Sequence, residues 1–197
     1  MESSVLRMYT HTGRRISATD GEIIYNLGCG NQHYPGVIGV DVRPSKTVDL
    51  VCNLNRMPWP IESGTADAVL AFHTLEHLAD LNAVMTEIFR VLKPGGHLVV
   101  EVPYFRHPGA FQDPTHIHFF TSRTMSYFCE NEKRAHGRYG AMRFREIGTW
   151  LGWPAPARDP FVRAAKSWIN RHKDFYDLHL ATFFPVPILV AELEAVK

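Results

Sequence analysis

The chain has 197 residues, of which 45% are hydrophobic and 21% are charged. This globular composition excludes disordered and collagen-like classes, and the length suits one domain of ordinary size. The net charge is +1, so no surplus of Lys and Arg indicates a long nucleic-acid partner.

Cysteine usage and hydropathy set the expected compartment. Cys29, Cys52 and Cys129 are odd in number and widely spaced, which disfavours a disulfide framework or a zinc ribbon. The first twenty residues lack the apolar stretch of a signal peptide, and prolines interrupt the longest apolar run, residues 180–191. We therefore expect a cytoplasmic protein with no membrane partner.

Short apolar runs alternate with helical patterns along most of the chain. Residues 1–20 are polar and are predicted to form an N-terminal arm or lid before a single domain over 21–197. Five apolar runs are bounded by Gly, Pro, Asp or Asn and cover residues 23–27, 37–40, 48–52, 68–72 and 98–102. Residues 142–150 form a candidate strand and residues 188–196 a closing strand. This order predicts an α/β fold with a doubly wound, mostly parallel Rossmann-like sheet of about seven strands. Residues 131–180 have the weakest periodicity and would form an insertion that covers the substrate.

Two helices and a cap are predicted from periodicity. Apolar residues recur at three- and four-residue steps from Leu78 to Leu92, while Glu87 and Arg90 fall outside that stripe. The segment 93–96, Lys-Pro-Gly-Gly, would end this helix. A second helix is expected over 160–171, and Ser122 is expected to cap a short helix that reaches Glu130.

The first apolar run leads into the turn Gly28-Cys29-Gly30, where missing side chains let a ligand approach the backbone. The dinucleotide fingerprint needs Gly or Ala at position 33, which is His33, and a helix before the second strand. Residues 31–36 leave no room for that helix, so NAD is disfavoured and the first crossover is shortened. Asp41 ends the second strand, where its carboxylate could bind both hydroxyls of a ribose or, more simply, cap a helix.

Several motifs in a fixed order give residues 23–128 a resemblance to a known family. They are Asn26-Leu27-Gly28-Cys29-Gly30, Pro35-Gly36, Asp41, Asn53-Leu54, Met57-Pro58-Trp59-Pro60, Ala66-Asp67-Ala68-Val69, His73-Thr74-Leu75-Glu76-His77-Leu78 and Arg90-Val91-Leu92-Lys93-Pro94-Gly95-Gly96. The sequence resembles class I S-adenosylmethionine-dependent methyltransferases, most closely the compact, small-molecule (type 11-like) group. The resemblance implies S-adenosyl-L-methionine as cofactor and methyl transfer to a small molecule, with oxygen favoured over nitrogen as acceptor. A sensor or partner subunit that binds the cofactor without transferring the methyl group is the alternative.

The resemblance also implies which residues hold the cofactor. Gly28 and Gly30 would pack under its methionine part, Asp41 would bind the ribose, and Asn53 with Leu54 would line the adenine. The whole implied set is Asn26, Gly28, Cys29, Gly30, Asp41, Val42, Asn53, Leu54, Phe72 and His73. Asn53 replaces an acid common at this position, and its carbonyl oxygen can still accept from the adenine amino group. The N-terminal arm would cover the flank that the shortened crossover leaves open.

The segment His73-Thr74-Leu75-Glu76-His77 has three interpretations. It is the signature of inverted zinc peptidases, and thus of a metal hydrolase, but that chemistry needs both histidines on one helix and a loop is predicted here. Small-RNA 3′-terminal 2′-O-methyltransferases and ubiquinone-pathway O-methyltransferases carry a similar acid-x-x-Glu-His, which implies a divalent metal on His73, Glu76, His77 and His116. Without metal, His116 or His77 would act as a general base beside Glu76.

The irregular stretch 103–121 combines aromatic and polar residues in the manner of a binding loop. The acceptor is expected to contact Tyr104, Arg106, Asp113 and His118. Because His116 and His118 alternate, an extended backbone would turn only one of them towards the site. The later aromatic residues are expected in the core or in a lid: Trp150, Trp153, Trp168, Phe175 and Tyr176.

Overall fold

One mixed sheet organises the computed structural model, which describes residue 18 and residues 21–130, 142–152 and 159–197. Its strands are β1 Ile24–Leu27, β2 Ile38–Asp41, β3 Leu50–Val51, β4 Ala66–Phe72, β5 Leu92–Pro103, β6 Phe144–Leu151 and β7 Ile188–Ala195. They lie in the order β3-β2-β1-β4-β5-β7-β6. Strand β7 is antiparallel to both neighbours, and the other pairs are parallel. The predicted α/β sheet is confirmed.

The helices are α1 Leu81–Val91, α2 Gly109–Gln112, α3 Pro160–Arg171 and α4 Lys173–Phe175 within the described ranges. Leu75–His77 and Met125–Phe128 form 3-10 turns, and Tyr176–Leu180 forms a π-helical turn. Among these residues, no helix has both the length and the hydropathy needed to cross a bilayer. The predicted N-terminal arm, apart from Ala18, and Trp153 lie outside the described residues.

Burial explains why the central strands are almost wholly apolar. Six of the seven residues of β4 are buried because the sheet is covered on both faces, as parallel sheets require. The larger core includes Leu27 of β1, Val69 of β4 and Ile88 of α1. A smaller core on the other face of the sheet includes Ile24 and Leu70. No helix separates β1 from β2, which agrees with the shortened first crossover.

The topology concentrates loops at one edge of the sheet. Because β1, β2, β4 and β5 are parallel, their carboxyl ends lie together, a common position for ligand sites in open α/β sheets. Strand β6 has the same direction as β5, since both pair antiparallel to β7. The connection 152–187 therefore leaves the sheet at this same carboxyl edge.

Two local expectations need correction. Ser122 caps no helix: the nearest turn begins at Met125, and the Ser122 hydroxyl donates to Asp177 Oδ2 over 2.7 Å. Glu87, although outside the apolar stripe of α1, is buried and accepts from the backbone N–H of Trp59 and from Arg90. In both cases a residue distant in sequence supplies the partner that local pattern could not indicate.

Candidate functional site

A cavity of about 260 Å³ opens at the carboxyl ends of β1, β2 and β4, slightly below the ~300 Å³ at which small-molecule sites usually begin. Its lining consists of Gly28, Asp41, Val42, Cys52, Asn53, Leu54, Asn55, His73, Thr74, His77 and Leu78. Most of the predicted cofactor residues therefore lie around one cavity. The sequence analysis did not assign Cys52, Asn55, Thr74 or Leu78 to it.

The glycine turn after β1 is shaped by Thr74. Gly28 has φ +63°, and a Cβ there would lie 2.5 Å from Thr74 Oγ1. Thr74 cannot easily withdraw, because it is buried and its hydroxyl hydrogen-bonds to the Leu27 carbonyl oxygen at 2.9 Å. Only glycine combines the left-handed backbone with this close approach. Gly30 also has positive φ, at +52°, but a Cβ there would meet nothing within 4 Å.

Asp41 joins two loops at the cavity rim. Its Oδ2 accepts from the Gly30 N–H at 2.9 Å, and its Oδ1 accepts from the Arg43 N–H at 3.0 Å. No helix follows β2, so the helix-cap interpretation is wrong. The half-buried carboxylate keeps further lone pairs for a ligand hydroxyl.

The adenine side of the predicted site is a loop, residues 53–55, whose conformation is held by hydrogen bonds. Asn53 Oδ1 accepts from the Asn55 N–H at 3.0 Å, which leaves a second lone pair on that oxygen. Asn55 Oδ1 in turn accepts from the Ala79 N–H at 2.7 Å, and the Leu54 carbonyl oxygen accepts from Trp59 Nε1. This loop is thereby tied to the turn that carries His77.

His73 follows β4 in a left-handed conformation, with φ +49°. Its Nε2 lies 2.9 Å from Glu101 Oε1, and its Nδ1 lies 3.4 Å from Glu76 Oε1. Hydrogen bonds to Glu101 and then to Glu76 raise the pKa of His73 to about 9, so the ring is cationic at neutral pH. An imidazolium with carboxylates at both nitrogens does not suit the metal-ligand role predicted for His73. The inverted-peptidase geometry is also missing, because His73 lies outside the short turn that holds His77.

Glu76, His77 and His116 form a compact cluster beside the cavity. One potential ligand atom from each lies within 4.8 Å of the others, and the two imidazole centroids are 4.7 Å apart. Glu76 is 1% exposed, His73 Nδ1 lies 3.4 Å from its Oε1, and its Oε2 forms no hydrogen bond with any described residue. A buried carboxylate needs cations or donors to compensate it, so this second oxygen is open to a further partner.

Hydrogen bonds orient both histidines of the cluster. The Thr115 hydroxyl donates to Asp113 Oδ1, so its oxygen accepts from His77 Nδ1 at 2.9 Å. His116 Nδ1 lies 3.0 Å from the Ala110 carbonyl oxygen, which can only accept. Neutral His77 and His116 thus carry their protons on Nδ1, and each keeps a lone pair on Nε2. That tautomer suits either a metal ligand or a general base.

The acceptor loop is fixed against the same turn. His118 Nε2 donates to the Leu78 carbonyl oxygen at 2.7 Å, while the Ile117 N–H donates to the Glu76 carbonyl oxygen. Asp113 is exposed and orients Thr115, and exposed Arg106 lies over the Phe105 ring. The structure therefore gives Asp113 a positioning contact and anchors His118 by its ring.

Tyr104 does not fit the predicted substrate wall. It is fully buried, and its hydroxyl donates to Asp177 Oδ1 at 2.6 Å. Burial, together with that carboxylate, raises the pKa of Tyr104 far above its ordinary value. Its aromatic character identified it as a wall residue, whereas its partner lies 73 positions away.

Three predicted cofactor side chains lie away from the cavity. The Cys29 thiol is buried 3.5 Å from the Thr47 carbonyl oxygen, and burial raises its pKa. Phe72 packs in the smaller core against Tyr34. Asn26 is buried in β1, and its amide has no hydrogen-bond partner among the described residues. The family resemblance placed these three residues in the cofactor site, but their side chains do not line the cavity.

Thr74 and Thr115 are the functional residues that sequence reasoning missed. The Thr74 side chain packs directly against Gly28, and the Thr115 hydroxyl orients the His77 ring. The Asp-Pro-Thr spacing at 113–115 was an available signal, because Asp commonly accepts from the backbone N–H two residues later, as it does here. Thr74 had no comparable local signal, since its partner is the carbonyl oxygen of a different strand.

Comparison with known proteins gives a consistent result. The family model described as "Methyltransferase domain" matches residues 26–100. O-methyltransferase resE of Aspergillus sclerotiorum is 26% identical over 123 residues, covering 51% of this chain and 47% of that protein. Sterol 4-C-methyltransferase strm-1 of Caenorhabditis elegans is 35% identical over 89 residues, covering 45% of this chain and 23% of that protein. The chain thus spans about half, or less, of the length of these curated relatives.

Solved structures agree on the fold. A SAM dependent methyltransferase from Archaeoglobus fulgidus superimposes with a TM-score of 0.57 at 17% identity, covering 88% of this chain and 86% of that one. The S-adenosylmethionine dependent methyltransferase from Mesorhizobium loti gives a TM-score of 0.53 at 14% identity, covering 87% and 90%. At these identities the likeness concerns the path of the chain and its sheet.

Proposed function

We propose that this chain is a class I S-adenosylmethionine-dependent methyltransferase and that it transfers the cofactor's methyl group to a hydroxyl of a small-molecule acceptor. The observation that carries the proposal is the cluster beside the cavity: one potential ligand atom from each of His77, His116 and buried Glu76 lies within 4.8 Å of the others. Acceptor deprotonation is the chemistry that such a cluster can supply.

In this proposal the cofactor binds at the carboxyl ends of β1 and β2. Gly28 lines the cavity with a left-handed backbone, and it would border the methionine part of the ligand. Asp41 would accept from the ribose hydroxyls, while Asn53 and Leu54 would border the adenine. His73, held cationic by two glutamates, would set the local potential near the methionine part.

Methyl transfer is an in-line displacement at a sulfonium, so alignment supplies much of the acceleration. A hydroxyl acceptor must also lose its proton, and a neutral imidazole has a suitable pKa for that step. In the proposal, Nε2 of His116 accepts the proton of the acceptor hydroxyl. The Ala110 carbonyl oxygen, bonded to Nδ1, holds the ring in the tautomer that this step requires. The name of one relative, an O-methyltransferase, supports oxygen, although the other relative is a C-methyltransferase.

The same three residues fit a divalent cation. A buried carboxylate with one oxygen lacking a hydrogen bond and two imidazoles with open Nε2 atoms form a mixed N/O donor set, which favours Fe²⁺, Zn²⁺ or Mn²⁺ over Mg²⁺. Such an ion would polarise the acceptor hydroxyl and lower its pKa. Hydrogen bonds from His77 and His116 to Thr115 and Ala110 correspond to the outer-shell contacts that orient metal-binding imidazoles.

Calorimetric titration of metal-stripped protein with S-adenosylhomocysteine tests the cofactor part. We expect micromolar binding, and repeating the titration with each of the four ions identifies any coupling to metal. A Gly28→Val variant is the control, because it fills the space beside Thr74. Lack of binding in every condition would overturn the proposal.

Transfer itself needs a second measurement. Protein loaded with methyl-labelled cofactor is incubated with a panel of phenols, catechols, alcohols and amines, and label in the acceptor is counted. Label in a hydroxyl compound supports the proposal. Tight cofactor binding with label that never leaves the cofactor would favour a sensor or partner subunit, and label found only in amines would overturn the oxygen assignment.

A further inference from the structure

Residues 160–184, in the connection between β6 and β7, form an exposed apolar surface. The surface is formed by side chains of α3, α4 and the segment that follows. Phe161 is 84% exposed, Leu178 is 72% exposed, and Phe183 and Phe184 are each 74% exposed. Soluble proteins rarely expose so many large apolar side chains in one region. We call this surface the cap face; it also includes the exposed side chains of Val162, Trp168 and Phe175. Trp168 and Phe175, expected in a core or lid, are about half exposed here, at 43% and 51%.

Helix α3 attaches to the protein through a side that carries Asn170 and the partly buried Ile169, which packs against the larger core. Asn170 donates to the Leu151 carbonyl oxygen and accepts from the Leu151 N–H, which fixes the helix against the end of β6. At 100° per residue, Asn170 lies about 180° around the helix from Phe161. Phe161, Ala165 and Trp168 share one stripe on the opposite side. None of the α3 residues is fully buried, although the helix is strongly amphipathic. A surface helix of a globular protein normally has the reverse orientation.

Contacts with the protein body also separate the charges of this segment. Its two acidic residues are engaged by the protein body: half-buried Asp177 accepts from Tyr104 and Ser122, and Asp174, itself exposed, forms an ion pair with Arg123. Helix α3 contains Arg163, Lys166 and Arg171 and no acidic residue. Residues 160–184 therefore present exposed aromatic side chains together with the exposed cations Arg163 and Arg171, and the acidic residues of the segment are already paired.

We propose that the cap face binds the surface of a lipid bilayer that contains anionic lipids. Helices of this kind, with Phe, Trp and Leu on one side and only basic charges on the other, lie in the interfacial plane of membranes. The alternative of two copies joined through this face is disfavoured, because a symmetric contact would bring the cations of both α3 helices together. The sequence argument against a membrane partner concerned spanning segments, which peripheral binding does not need.

The test is cosedimentation of the whole chain with vesicles of phosphatidylcholine alone or mixed with phosphatidylglycerol. We expect binding to the mixed vesicles, and weaker binding as salt rises because the cationic contribution is screened. The triple variant Phe161→Ser, Phe183→Ser and Phe184→Ser should bind at least about tenfold more weakly, since three exposed phenyl groups are lost. The charge variant Arg163→Gln with Arg171→Gln should lose the preference for the anionic vesicles.

Val51→Ser is the matched control, because Val51 is 55% exposed on β3 at the far edge of the sheet. It should bind vesicles as the parent does, and thermal unfolding should show that every variant is folded. Trp168 should report insertion directly through quenching by brominated lipid, and Trp168→Phe should remove that signal.

Absence of vesicle binding would overturn the proposal, as would equal losses in the triple variant and in Val51→Ser. A dimer that the triple variant disperses, without vesicle binding, would overturn it in favour of self-association. The assay uses no cofactor and no acceptor, so its failure is distinguishable from failure of the proposed methyl transfer.

Discussion

The cofactor half of the molecule, residues 24–103, and the cap half, residues 104–188, are held together differently. In the cofactor half, Gly28 and His73 come directly after β1 and β4, and Asp41 is the last residue of β2. Because these strands pair with one another, the sheet register sets the positions of all three residues. In the cap half, contacts such as Tyr104 with Asp177 join segments 73 residues apart. The Glu76, His77 and His116 cluster lies at the junction, with Glu76 from one half and His116 from the other. We therefore expect that substitutions can disrupt cofactor binding and methyl transfer separately.

Gly28→Val should have the largest effect. The new side chain would need space now held by Thr74 and a backbone at φ +63°, so S-adenosylhomocysteine binding should fall at least about 100-fold. Gly30→Ala is the control, since φ is also positive but the space is open; it should lose about tenfold or less. Calorimetry measures both, and equal effects would mean that backbone strain, and not the contact with Thr74, is decisive.

His116→Gln tests the junction. The variant should bind S-adenosylhomocysteine as the parent does but lower kcat about 100-fold on an accepted hydroxyl substrate, because the Nε2 lone pair is lost. His118→Gln is the matched control in the same loop, since His118 only anchors to Leu78 in the structure. A normal kcat in His116→Gln would remove this residue from the chemistry.

The cofactor half could be predicted from sequence because its signals are local. Strand runs, the Gly-x-Gly turn and the stripe of α1 each occupy a few consecutive residues, and parallel topology then brings their ends together. Side-chain direction within a strand was less accessible, so Phe72 was placed in the cavity although it packs in the smaller core. Register decides which face a residue occupies, and one position is enough to reverse it.

The cap half resisted prediction for a physical reason. Ser122 and Tyr104 take their roles from Asp177, and no local pattern indicates that partner. Helix α3 was predicted correctly over 160–171, yet its periodicity could not reveal that the apolar stripe points outwards. A hydrophobic pattern gives the element and its stripe, while the direction of the stripe depends on long-range contacts such as Asn170 with Leu151.

Asp41→Ala addresses the rim of the cofactor half. We expect S-adenosylhomocysteine affinity to fall about 10- to 100-fold, because charged hydrogen bonds to the ribose and the brace on Gly30 are both lost. Asp41→Asn should lose less, since the amide oxygen can still accept from Gly30. If Asp41→Ala bound the ligand normally in calorimetry, Asp41 would not be a ribose ligand.

Asp177→Ala should loosen the cap half alone. The substitution removes the acceptor for the Tyr104 hydroxyl and for Ser122, so the free energy of unfolding should fall by about 2 kcal/mol. Binding of S-adenosylhomocysteine to the folded protein should not change, because the cofactor cavity is formed by the other half. Urea denaturation and calorimetry together check this, and a large loss of affinity would show that the halves are coupled.

Glu87→Gln should have the smallest effect and a distinctive pH dependence. The Arg90 guanidinium holds the pKa of the Glu87 carboxyl below its ordinary value of 4.5, with a further hydrogen bond from the Trp59 N–H. A lowered pKa in the folded state means that the ionised pair stabilises the protein above the unfolded-state pKa, and that this contribution is lost as pH falls through the folded-state value. We expect the parent to exceed Glu87→Gln in unfolding free energy by about 1 kcal/mol at pH 7, with the difference shrinking below about pH 4. Glu62→Gln, at an exposed position on the neighbouring loop, is the control and should show no such dependence in urea midpoints. A constant difference between parent and Glu87→Gln from pH 7 to pH 3 would mean that the shape of the side chain, and not its charge, stabilises α1 against that loop.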